Sequence, residues 1–215
     1  MTTRYETKQD YAYQVIKDLI VSGTLLPGQR IVVDRLASEI GTSAIPVREA
    51  LVRLEGERLV TIKPHAGAIV ALITPDLVRK IIENVAVLEG YATALAHPRI
   101  EAALAHLDAH TTTMERAIID EDWETFSDAN RSFHFAIYAV CDNDVLVDTI
   151  TQLWTQLDSY LSSAAFTLIP DRAGGSVAEH RAILALLNDP AADLVELERV
   201  ARQHKMNTAR RLIAG

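Results

Sequence analysis

Two sets of side chains in this 215-residue sequence have types and spacings that can do chemistry. The first lies in residues 41–70, GTSAIPVREALVRLEGERLVTIKPHAGAIV, where Arg48, Arg53 and Lys63 are cations set among short polar and apolar residues. A guanidinium fork such as that of Arg48 suits a phosphate clamp or a bidentate bond to a guanine edge. The second set is histidine, of which there are seven. His106 and His110 form an i, i+4 pair, the neater metal signature by spacing. No third ligand stands nearby, however, and Glu101, Asp108, Glu115 and Arg116 mark a solvated helix face. His134, His180 and His204 fall on three different expected helices. By spacing alone they read as polar residues hydrogen-bonded inside a bundle, and only a bundle can bring them together.

The elements that position the first set follow from pattern. Thr42 and Ser43 offer a hydroxyl N-cap, Pro46 sits in the first helical turn, and a helix is expected to start near Ala44. Val47, Ala50, Leu51 and Leu54 form one apolar stripe, whereas Ile45, Arg48 and Val52 share another face. Gly56 ends the helix; Leu59–Lys63 and Ala68–Leu72 read as two strands joined by the turn at 64–67. Upstream, Tyr11–Val21 has a helical period, GTLLPG at 23–28 is a connector, and Leu36, Ala37 and Ile40 mark a short helix closed by Gly41 in the αL conformation. Residues 1–73 therefore read as a winged helix-turn-helix of three helices plus a two-stranded wing, a DNA-binding arrangement.

Thr74-Pro75-Asp76 is a helix-start signal and marks the domain boundary. From 74 to 215 the pattern is helix throughout, at about 75–96, 99–120, 122–141, 144–168, 176–188 and 191–213. The breaks are Pro98, 120–122, 142–144, Ile169-Pro170 with Gly174-Gly175, and Asp189-Pro190. Ser176 with Glu179 reads as a capping box. The expected fold is mainly α, with a C-terminal antiparallel bundle of about six helices.

These residues resemble a known family, the bacterial GntR-type transcriptional regulators, and within it the FadR-like subfamily with an FCD-type helical ligand-binding domain. The likeness is carried by LPGQR at 26–30, PVREAL at 46–51 and PHAG at 64–67. It continues in LEG at 88–90, FH at 133–134, NDVL at 143–146, EHRAIL at 179–184 and the helix holding His204, so it covers nearly the whole chain. The resemblance implies a homodimer, a repressor of transcription, that contacts double-stranded operator DNA through Ser43, Ala44, Ile45, Arg48, Arg53, Lys63, His65 and Gly67. It also implies a divalent metal ion, zinc with nickel or manganese as alternatives, held by His134, His180, His204 and the residue at 130. Beside it the resemblance implies a small-molecule effector, an organic acid, for which Asn84, Tyr91, Arg131, Tyr138 and Arg181 are the candidate pocket residues.

Three positions depart from the family pattern. Asn130 stands where an Asp ligand is usual, which removes a negative charge from the site. Val85 stands where an Arg usually holds the effector's carboxylate. Ala44 stands where a base-reading Arg is usual, so Ala44 and Ile45 are candidates to touch thymine methyl groups instead.

Composition sets bounds. The formal net charge is −8, but residues 1–73 hold nine Lys/Arg against eight Asp/Glu (+1), and 74–215 hold twelve against twenty-one (−9), so the acidity belongs to the second part. The single cysteine, Cys141, excludes an intramolecular disulfide framework. With no long apolar run and a polar N-terminus, the expectation is a cytoplasmic protein without a membrane partner. HExxH, paired Glu-x-x-His, phosphate-loop and nucleophile motifs are missing from the sequence, so an enzyme is not expected. A metal-dependent helical-bundle enzyme is the competing reading, and a constitutive DNA-binding regulator with a degenerate pocket is the other.

Overall fold

In the computed structural model, which describes residues 7–63, 67–72, 74–161 and 170–214, the Thr7 hydroxyl caps the first helix by accepting from Asp10 N. That helix, α1 (Lys8–Val21), turns Ala12, Ile16 and Ile20 inward. Strand β1 (Arg30–Ile31), α2 (Val33–Glu39) and α3 (Ala44–Gly56) follow, then β2 (Val60–Lys63) and β3 (Gly67–Val70). Gly41, between α2 and α3, has φ of +68°, a conformation that costs glycine little and other residues more. It lets the chain reverse so that α2 and α1 both pack on α3. Val47, Ala50, Leu51 and Leu54 of α3 are buried against Ile16, Leu36, Val60 and Val70; each large aliphatic side chain so buried contributes about 1.5–3 kcal/mol.

The wing has one strand more than the hairpin read from the sequence. The antiparallel sheet runs β1-β3-β2, with Arg30 opposite Ile69 and Ile31 opposite Ala68. A two-residue strand carries no alternation to read, and its partner lies far along the chain, so only the pairing itself reveals it.

The helical part comprises α4 (Pro75–Ala96), a 3₁₀ turn (His97–Arg99), α5 (Glu101–Ile119), α6 (Trp123–Tyr138), α7 (Asp144–Leu161), α8 (Pro170–Leu187) and α9 (Leu194–Ala214). The chain divides into two compact units, Met1–Thr74 with Thr155–Ser162, and Pro75–Trp154 with Ser163–Gly215. Within the second, α9 lies along α4, α5 along α6, and α8 against α5 and α9. Gly90 sets the crossing of α4 and α9: a Cβ there would stand 2.8 Å from the Glu198 carbonyl oxygen. No described helix is long and apolar enough to cross a membrane.

Helix α8 corrects the sequence reading. It begins at Pro170 and runs through Gly174-Gly175, which were expected to break it. Ser176 is buried within the helix and caps nothing, and Glu179 bonds across to α9. Each glycine costs a helix interior about 1 kcal/mol; on the buried face of the same stretch, the apolar Ala173 and Val177 contribute against that cost.

Candidate DNA-reading helix and candidate metal centre

One face of α3 is buried and the opposite one is open. Ile45 is 68% exposed and Val52 62%, with Arg48 exposed between them one turn from each. No ion pair to Arg48 is present among the described residues. Glu55, on the same helix, accepts instead from Ile62 N of β2 at 2.7 Å and so fastens the wing to α3. Ser43 occupies the N-cap position with extended backbone, but its side chain makes no capping bond and is exposed; Ala44 beside it is half-buried.

Arg53, a DNA-contact candidate in the sequence, is half-exposed and also has partners within the fold. Its guanidinium stacks 3.7 Å over the Tyr13 ring and pairs with Asp10 at 3.4 Å and Glu57 at 3.9 Å, which ties α3 to α1. Lys63 is exposed at the end of β2, and Gly67 opens β3 with φ of +80° beside the Arg30 side chain. His65 lies outside the described residues.

In the second unit the structure brings His134 of α6, His180 of α8 and His204 of α9 together, all buried. His134 Nε2 stands 3.3 Å from His180 Nε2 and 3.3 Å from His204 Nε2. Both contacts are longer than the usual 2.9–3.0 Å of an N–H hydrogen bond. Ligand nitrogens about 2.0–2.1 Å from a tetrahedral ion stand roughly 3.3–3.4 Å apart, so the spacing and the donor set suit a zinc-like cation. Burial holds His134 and His180 well below the ordinary histidine pKa, helped for both by the charge of Lys205. Burial also lowers His204, against an opposing hydrogen bond to Glu179. All three thus favour the neutral form that a metal requires.

The sequence did not reveal the groups around the cluster. Glu179 Oε2 lies 2.7 Å from His204 Nδ1, and the same carboxylate takes Arg172 and, at 2.8 Å, Asn207. Glu89, buried on α4, accepts from Trp154 Nε1 at 2.6 Å, pairs with the buried Lys205 at 3.3 Å, and lies 3.8 Å from His134 Nδ1. Lys205 also sits 3.9 Å over the Trp154 ring. Motif fragments LEG and EHRAIL contain Glu89 and Glu179, but neither fragment says what the carboxylate touches. The His180 Nδ1 atom is buried without a hydrogen-bond partner among the described residues. Burial, reinforced by the charge of Glu89, pushes the Tyr138 hydroxyl well above its ordinary pKa.

The remaining sequence candidates divide. Asn130 is buried on α6 one turn before His134, and Tyr138 stacks at 6.4 Å on the His134 ring. Arg131 is half-buried, its guanidinium 4.5 Å over Phe135 and 5.5 Å from the Trp154 ring. Asn84 and Tyr91, by contrast, are exposed, Tyr91 to 48%, because α4 turns Val85, Glu89 and Ala92 inward and these two outward. Arg181 faces α5, where it pairs with Asp108 and Glu115 and bonds Thr112. Its neighbour His180 points in, so a residue one position on points away. His106 and His110 lie on α5 without a third ligand among the described residues.

Comparison with known proteins extends over both units. Residues 8–70 match the bacterial regulatory proteins of the gntR family, and residues 80–206 match the FCD domain. The chain is 28% identical over 177 residues to the HTH-type transcriptional regulator McbR of Escherichia coli, covering 80% of this chain and 78% of that protein. It is also 28% identical over 200 residues to a probable D-xylose utilization operon transcriptional repressor of Paenarthrobacter nicotinovorans, covering 91% of this chain and 86% of that one. A 28% identity over 151 residues links it to the gluconate operon transcriptional repressor of Bacillus subtilis, covering 70% and 58% respectively. The solved structure of E. coli McbR/YncC superposes with a TM-score of 0.72 at 25% identity, covering 98% of this chain and 97% of that one.

Proposed function

The chain belongs to the gntR family of bacterial regulatory proteins, in the branch that carries an FCD domain, and from that premise we propose that it is a homodimeric cytoplasmic repressor. Residues 1–73 bind double-stranded operator DNA, and residues 74–215 sense a small organic acid at a metal-containing site. Its relatives are transcription regulators rather than enzymes. The observation that carries the DNA half is the α3 face of Ile45, Arg48 and Val52, exposed opposite a buried stripe in a winged helix-turn-helix. Repression is supported by the two relatives named as operon repressors.

The sensing half rests on the histidine cluster. His134, His180 and His204 would hold the ion, with Asn130 as an uncharged neighbour able to offer a carbonyl oxygen. A zinc-like ion held there would supply a Lewis-acidic centre for an effector oxygen. Lys205 and Arg131, on α9 and α6, put cationic charge close to His134 and Trp154, which supports a carboxylate effector although Val85 removes the family's usual Arg. One relative controls a gluconate operon by its name, which fits the same ligand class. The effector acts by binding one arrangement of the dimer better than another and so shifting the population that fits the operator.

Selection of DNA sites from a random pool by the full chain, zinc-loaded and chelator-stripped, tests both halves. The expected result is an enriched two-fold symmetric site whose affinity changes with metal and with added carboxylates. No enrichment sinks the DNA reading. The same site at the same affinity in every condition favours the second reading, a constitutive regulator with a degenerate pocket, to which Asn130 and Val85 point.

A further inference from the structure

We propose that Glu179 is the positioning residue of the histidine cluster, fixing His204 with its proton on Nδ1 so that the Nε2 lone pair faces a divalent cation. The inference rests on the metal reading of that site given above. A neutral imidazole carries one ring proton, and the hydrogen bond made by one nitrogen decides which nitrogen holds it. A carboxylate only accepts, so at 2.7 Å from Glu179 Oε2 the Nδ1 atom of His204 must be the donor. Nε2, which converges on His134 Nε2 at 3.3 Å, is then left as the acceptor.

Glu179 is itself held. Arg172, buried on the first turns of α8, donates to Oε2 and also to the His204 carbonyl oxygen at 3.1 Å. Asn207, one turn beyond His204 on α9, donates to Oε1 at 2.8 Å, and Gln203 donates to Asn207 at 2.7 Å. Three donors, on His204, Arg172 and Asn207, thus converge on its two oxygens, an arrangement that suits the acceptor-only carboxylate. With both oxygens committed, the carboxylate cannot turn from His204 without breaking bonds to two helices.

The other two imidazoles lack such support. His134 Nδ1 is 3.8 Å from Glu89 Oε2, beyond hydrogen-bond range, and the other oxygen of Glu89 already serves Trp154 and Lys205. His180 Nδ1 has no partner among the described residues. Among the described residues, His204 is the imidazole of the three that a partner presets as a ligand. A carboxylate behind a ligating imidazole raises its basicity, so Glu179 supplies from behind His204 part of the negative charge that Asn130 does not bring.

The test uses the full-length protein stripped of metal. Zinc is titrated in competition with a chromophoric chelator, and the His204 tautomer is read from ¹⁵N shifts. Glu179→Ala is expected to bind zinc about 10- to 100-fold more weakly. Glu179→Gln keeps the volume and a carbonyl acceptor without the charge, so it should fold and fall between; it carries the test if the alanine variant unfolds. Wild-type His204 should hold its proton on Nδ1 before metal is added. Unchanged zinc affinity in both variants, or a proton on Nε2 in the metal-free wild type, overturns the proposal. A wild-type protein that binds no zinc, with the Nδ1 proton in place, overturns the metal reading itself and with it any role of Glu179 toward a cation.

Discussion

The exposed face of α3 and the histidine cluster of α6, α8 and α9 both gather polar chemistry, and they are built in opposite ways. On α3, Arg48 stands exposed with no ion pair among the described residues, flanked by the exposed apolar Ile45 and Val52. Around the histidines Glu89, Lys205 and Arg172 are buried, and together with the half-buried Glu179 they form ion pairs with one another or bond the imidazoles. A surface meant to meet another macromolecule leaves its donors available, because internal partners would compete with the target. A site meant to hold a small cation away from water must satisfy its own charges first, since an unpaired buried charge costs several kcal/mol.

The contrast is broken most strongly by removing a group from the buried side. His180→Ala should lower zinc affinity by more than the roughly 10- to 100-fold expected of a supporting residue, because it removes a ligand atom rather than its orientation. Non-specific DNA affinity should be unaffected. Zinc titration of the variant at wild-type strength would mean that the cluster is a packed polar core and not a cation site. On the exposed side, Arg48→Ala should lower operator affinity by about 10- to 100-fold, the worth of a good bidentate contact, while thermal stability stays within about 0.5 kcal/mol of wild type. Unchanged affinity in a mobility-shift titration would remove α3 from the role of reading helix.

The two regions also differ in how far they were legible. The stripe Val47, Ala50, Leu51, Leu54 and the opposed Ile45, Arg48, Val52 follow from a helical period, so buried and open faces are visible in the sequence. Helix α4 was read to its ends, because Pro75 and Asp76 start it and the His97-Pro98 pair ends it. The surroundings of the histidines were not legible. Glu89 and Lys205 meet across 116 positions, and Glu179 was taken for a capping residue because Ser176 lies three positions before it. The outward placement of Asn84 and Tyr91 is not legible either, because the rotational register of α4 cannot be read from a helix rich in apolar residues on several sides. The contacts of Arg53 with Tyr13 and Asp10 leave no trace in the sequence, because those residues lie some forty positions away. Local pattern fixes faces; convergence of distant helices does not leave a local trace.

A pH titration sharpens the same contrast with a smaller effect. Burial lowers the folded pKa values of His134, His180 and His204 below the roughly 6.5 of an unfolded chain. Between those values the unfolded state binds more protons, so stability rises with pH. Metal-free protein should therefore hold its full stability above about pH 6.5 and lose it as pH falls from there, the thermal midpoint declining stepwise through pH 6 and 5. Arg48→Ala should track wild type along the whole curve, because Arg48 makes no ion pair among the described residues and does not touch the cluster. A midpoint that stays level from pH 7.5 to 5.5 would contradict the burial of three neutral imidazoles.

The smallest effect probes what the exposed face reads. Ile45 is large, apolar and 68% exposed beside Arg48, a position where an unpartnered isoleucine gains only by covering apolar surface on the target. In the major groove that surface is the thymine methyl. Burial of one methyl-sized group is worth about 0.8 kcal/mol, or roughly 4-fold in affinity. Replacing the contacted thymine by deoxyuridine in the selected operator should therefore weaken wild-type binding about 4-fold, and Ile45→Ala should weaken binding to the thymine operator by a similar amount. The variant should no longer distinguish the two operators, because the methyl and the side chain lose the same contact. If both proteins respond equally to deoxyuridine at every thymine, Ile45 does not read the base, and specificity on this face rests on Arg48 and the shape of the groove.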